Sequence, residues 1–180
     1  MKGLLVASGA ATLILLVAIV WQLRGLQPGA LELQLALDAR GFGAVIHQWT
    51  AEDLARYRAH LPWDCALLAS YGTFGWLLAA RTATFSELGR AGRGFATWAL
   101  PLAAASDAAE NALHGWLTEV PRFGVGWIYP VAAGCAALKW ALVLAWMLVL
   151  AWALLRSRSD PAQAAKPGPG ADRGSSPRDP

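Results

Sequence analysis

Charge is scarce in this chain, and what there is does not collect. Of 180 residues, 15% are Asp, Glu, Lys or Arg, and the formal net charge is +3. The basic residues lie scattered between hydrophobic blocks. That excludes nucleic-acid binding, which needs a basic face or run to neutralise phosphates. Cysteine is reduced to Cys65 and Cys135, each alone in an apolar segment. With no C-x-x-C pair and no spaced framework, neither a redox dithiol nor a disulfide scaffold is expected, and both read as small packing residues. G-x-S-x-G elbows, phosphate loops and dinucleotide glycine patterns are missing as well. The glycines of GRAGRG (89–94) follow no strand and read as a flexible basic loop. No cofactor is expected, and no internal repeat is visible.

What the chain has is hydrocarbon: 56% apolar residues and ten Trp, with a mean hydropathy of +0.39. That is a membrane composition. A spanning helix needs about 20 mostly apolar residues, and four segments qualify: 4–23, 62–80, 95–116 and 126–155. The expected fold is therefore an all-α, four-helix transmembrane bundle over residues 1–155. The first segment lies between Lys2 and Arg24 and is longer than a signal-peptide core, so it reads as an uncleaved span. Pro62 suits the first position of the second. Lys2, Arg81, Arg90, Arg93, Arg156 and Arg158 gather on the side of the N-terminus. The positive-inside rule then puts both termini in the cytoplasm of a multi-pass plasma (inner) membrane protein. Trp21, Trp63, Trp116, Trp127 and Tyr129 fall at the outer interface, where amphipathic rings settle.

Residues 24–61 form a small outer cap. LELQLALD (31–38) alternates apolar and polar residues, the pattern of a short strand. Phe42, Ile46 and Trp49 then mark one amphipathic helix, and Leu54, Tyr57 and Leu61 another, opened by a capping box of Thr50 and Asp53. Arg56 and Arg58 read as a solvated face. From residue 156 the composition turns to Pro, Gly, Ser and charge, as in a disordered cytoplasmic tail.

Against this background one stretch is out of place. In SDAAENALHGW (106–116), Asp107, Glu110, Asn111 and His114 share one helical stripe inside the third span. Ionisable groups facing lipid cost about 3 kcal/mol each, so they turn inward and find partners. Lys139 lies at matching depth in the fourth span; Asp64, with Tyr71 two turns deeper, lies in the second. Asp64, Tyr71, Asp107, Glu110, Asn111 and Lys139 are the candidate ligand-binding residues. Three carboxylates against one amine leave an excess that a protonated carboxyl, a charged His114 or a bound cation must offset. Gly72, Gly75 and Ala103 to Ala105 let helices approach closely, and Pro101 can bend the third. The i, i+4 pairs His60/Asp64 and Glu110/His114 have zinc-like ligand types, but any helix produces such spacing, and no metal is expected.

LPWDCALLASYG (61–72), SDAAENAL (106–113) and ALKW (137–140) together resemble a group of uncharacterised small bacterial inner-membrane proteins. The resemblance covers about residues 1–155 and implies the same four-helix layout and polar set; it carries no activity. A looser architectural likeness is to sterol-isomerase and sigma-receptor bundles, which also hold acidic groups inside four helices. Three functions stay open. The polar set can be a pocket for a small amphipathic ligand or lipid headgroup, or a packing clamp in a noncatalytic accessory subunit. It can also be the proton shuttle of a lipid-modifying enzyme. Noncatalytic readings come first. The partners expected are the bilayer and such a ligand, with room for a homo-oligomer.

Overall fold

A computed structural model describes residues 2–120, 122 and 124–158. Among them six helices form and no strand: α1 Lys2–Leu23, α2 Ala30–Gln34, α3 Ala39–Ile46, α4 Ala51–Arg81, α5 Arg90–Leu117 and α6 Ile128–Arg158. Helix α6 runs to Arg158, past residue 156 where the tail is expected to start. Residues 159–180 lie outside the described residues.

Four long helices stand side by side in the order α1, α4, α5, α6. The pairs are antiparallel along their length. Phe74 of α4 lies against Gly9 of α1, and Gln22 at the other end donates to the Arg56 carbonyl. Between α4 and α5, Gly75 meets Leu100 and Gly72 meets Ala104, while Arg58 donates to the Gly115 carbonyl. Between α5 and α6, Trp146 donates to the Ala96 carbonyl and Ser106 to that of Cys135.

Two of these helices, α1 and α6, are long and apolar enough to cross a membrane. Their outward faces are bare hydrocarbon: Leu13, Ile14 and Val17 on α1, Leu144 and Leu148 on α6, all more than half exposed. The protein's interior cannot account for such surfaces, since they are turned away from it.

Three local expectations are corrected. No helix begins at Pro62; one helix runs from Ala51 to Arg81 with Pro62 inside it. Proline there removes the bond to the Arg58 carbonyl, a loss of about 3 kcal/mol. Both halves are nevertheless held in line by α1 and α5 through Gln22, Arg58 and Asp64. Residues 31–38 form no strand. With no neighbouring strand to pair with, the backbone closes its own turns, Leu35 N–H to the Leu31 carbonyl and Ala36 N–H to that of Leu33. Leu33 is buried, while Leu31, Leu35 and Leu37 stay exposed. The GRAGRG segment is not a loop: Gly89 caps α5 and Arg90 to Gly94 are its first turns.

The capping box that opens α4 is present in both directions, the Thr50 hydroxyl accepting from the Asp53 N–H and the Asp53 carboxylate from the Thr50 N–H. The Thr50 hydroxyl and N–H hold the Asp53 carboxyl below its ordinary value. Helices α2 and α3 sit over one end of the bundle on a core of Leu33, Phe42, Trp49, Tyr57, Leu117 and Tyr129. The Trp49 indole fastens this cap by donating to the Pro28 carbonyl at 2.7 Å. At the opposite end Phe85, Leu100 and Trp146 form a second core.

Candidate functional site

The stripe on α5 meets α6 through one amine. Lys139 Nζ donates to Asp107 Oδ1 at 2.9 Å and lies 2.7 Å from Glu110 Oε2. The second contact is short but off-axis, an ion pair without an aligned hydrogen bond, and Glu110 Oε1 has no hydrogen-bond partner among the described residues. All three side chains are withdrawn from solvent, Asp107 at 4% exposure, Glu110 at 0% and Lys139 at 6%. The i, i+3 spacing of Asp107 and Glu110 puts both carboxylates on one face. Small residues along α5, Ala103 and Ala104 among them, keep the neighbouring helices close.

Helix α4 closes the other side. The Tyr71 hydroxyl donates to Asp107 Oδ2 at 3.2 Å, so Asp107 is held from two helices at once. Nearer the cap, Asn111 Nδ2 donates to Asp64 Oδ2 at 2.6 Å. Asp64 is only half-buried. All six candidate residues are therefore in place, in two groups: a buried knot of Asp107, Glu110, Lys139 and Tyr71, and a more open Asp64–Asn111 pair.

The knot continues upward through residues left out of the candidate set. His114 Nδ1 lies 3.9 Å from Glu110 Oε1 and hydrogen-bonds the Tyr57 hydroxyl at 2.7 Å. Burial, and then the Glu110 carboxylate, push the Tyr57 hydroxyl well above its ordinary pKa. A phenol that keeps its proton can donate to Nδ1. The neighbouring His60 Nδ1 donates to the Tyr57 carbonyl, and burial holds the His60 ring below its usual pKa, favouring the neutral imidazole. The signal for these residues was present. Positions 57, 60, 64 and 71 share one face of a continuous helix; reading Pro62 as a helix start left Tyr57 in a separate cap helix and His60 joined to Asp64 only as a zinc-like pair.

None of the three cavities described is lined by any of the six candidates. One is a shallow groove between α4 and α5 lined by Gly72, Trp76, Trp98 and Pro101. Another lies along α1 at Val17 and Trp21, and the largest is in the cap. His60, Asp64, Glu110 and His114 do not assemble a metal-ligand group, and no group of three or more His, Cys, Asp or Glu able to hold a metal occurs among the described residues. Comparison with protein-family models, curated proteins and solved structures finds no match.

Proposed function

We propose that this chain is a noncatalytic, four-span integral membrane protein in which the Asp107–Lys139–Glu110 knot is a clamp setting the register of α4, α5 and α6. One observation carries the clamp reading: Lys139 Nζ sits within 3 Å of both carboxylates, on three residues at most 6% exposed. A ligand pocket needs volume beside its polar groups, whereas a clamp needs only contact. Polar groups in bundle interiors commonly fix helix partners in this way. With both carboxylates ionised the knot sums to −1, and Lys139 is the group that keeps its two negative charges from standing uncompensated.

Four spans are supported by position. Helices α4 and α5 lie between α1 and α6, each antiparallel to its neighbours and at least as long as α1. If the outer pair crosses a bilayer, the inner pair crosses with it. Cytoplasmic termini in an inner membrane follow from the arginines at the Arg81–Arg93 turn. Single cysteines at Ser86 and Glu119, in a Cys65→Ala, Cys135→Ala background, test this in intact cells with an impermeant maleimide. Four spans predict labelling at 119 and protection at 86. Labelling of both, with α1 and α6 alone crossing, would overturn the layout.

A further inference from the structure

The cap contains a cavity of about 670 Å³ that the polar stripe does not touch. It lies between α3 and the end of α5, walled by Phe42, Ile46, Leu54, Leu117 and Tyr129. Its size falls within the roughly 300–1,000 Å³ of pockets that enclose small ligands. Phe42 closes the floor. Its ring packs at 5.7 Å on His114 and 5.4 Å on Tyr129, which screens the cavity from the carboxylates beneath. The charged groups on the wall are Arg40, Glu119 and Arg122. Arg122 is paired with Glu119 at 3.6 Å and covers Trp116. Arg40 is exposed and has no hydrogen bond or ion pair among the described residues. An apolar chamber with one uncommitted guanidinium is complementary to a molecule that is apolar along its length and negative at one end.

We propose that this cavity binds a single-chain amphiphile with an anionic head, its tail against Phe42, Leu54 and Leu117 and its head on Arg40. A fatty carboxylate and a lysophospholipid phosphate share that chemistry. The site is independent of the clamp, because none of its lining residues belongs to the knot.

The test uses full-length protein in non-ionic detergent and dansyl-labelled undecanoic acid as the probe, read by its blue shift. Saturable binding is expected. Arg40→Gln should weaken it at least tenfold while leaving binding of the probe's methyl ester unchanged. Ala44→Trp, which fills the chamber from an exposed position, should abolish binding of both with no change in melting temperature. Displacement of the probe by oleate or by lysophosphatidylglycerol assigns the head as carboxylate or phosphate. Equal binding by wild type and Ala44→Trp protein, indifference of Arg40→Gln to head charge, or displacement by neither competitor would each overturn the proposal. Failure of the clamp would instead appear as unchanged melting in Lys139 variants, so the two readings fail separately.

Discussion

Removing Lys139 should damage this protein far more than removing either carboxylate it touches. Charge counting gives the asymmetry. The knot of Asp107, Glu110 and Lys139 is closed to water, with Nζ 2.9 and 2.7 Å from its two acceptors. Lys139→Met leaves two carboxylates facing each other in an apolar interior, a formal charge of −2. Stripping a buried ion of its partner costs about 3–5 kcal/mol. Asp107→Asn instead leaves one amine and one carboxylate, a neutral pair. It weakens one charge-assisted hydrogen bond, a loss of about 1–2 kcal/mol. Glu110→Gln also leaves a neutral pair and acts on an acid whose Oε1 has no hydrogen-bond partner among the described residues, so its effect should stay within about 1 kcal/mol. The triple variant Lys139→Met, Asp107→Asn, Glu110→Gln has no ion left to strand and should return to within about 2 kcal/mol of wild type. Thermal unfolding in detergent is the assay, and the Lys139→Met loss corresponds to a shift on the order of 10 °C. A typical interhelical hydrogen bond in a bilayer contributes only about 0.6 kcal/mol. If all three single variants cluster within about 1 kcal/mol of wild type, or the triple variant is no better than Lys139→Met, the knot is not an ion-balanced clamp.

Other consequences follow from the packing. A Cβ at Gly75 would stand 2.7 Å from Leu100 Cβ, against 3.2 Å from Ala104 Cβ at Gly72. Gly75→Ala should therefore lower stability by about 1–3 kcal/mol, with Gly72→Ala milder, as melting curves would reveal; equal effects would contradict the close approach. Thr50→Ala removes half of the capping box and should cost about 1 kcal/mol, seen as faster hydrogen exchange in the first turn of α4. Asp53 is depressed by that same box, so its contribution is full above its unfolded value near pH 4 and is lost as pH falls through the lower folded value. Exchange in that turn should then quicken on acidification in wild type more than in Asp53→Asn. His60 is also depressed by burial. Its contribution is present above the ordinary histidine value of about 6.5 and declines as pH falls toward the folded one. His60→Gln should flatten the loss of cap stability below that pH, and an unchanged slope would show that His60 takes up its proton equally in the folded and unfolded states.

Much of the site was legible because its signals are local. Three or four residues separate the members of the α5 stripe, and helical periodicity alone puts them on one face. Apolar residues on both sides say that such a face must be covered, and Lys139 stands in an apolar run of the neighbouring helix where it can meet it. The failures share a different cause. At Pro62 a local rule for starting helices competed with packing along both neighbours, and packing prevailed; Tyr57 therefore read as the apolar face of a separate cap helix, and His60 only as a zinc-like partner of Asp64. At 31–38 the alternation of Leu with polar residues matched a strand, but a strand exists only where another segment offers its backbone. Nothing in the pattern itself reports that.

The sequence by itself determined that long apolar helices form, that a helix opens at Thr50 with a capping box, and that acids and an amine on two of the helices had to meet. These follow from hydrogen-bond geometry and the expense of burying charge, which act over a few residues or on composition. Only the tertiary structure decided that α4 passes through its proline, that the knot is closed, and that an open chamber lies above it in the cap. Whether space remains beside a side chain depends on the packing of segments far apart in the chain, and no stretch of sequence specifies that volume alone.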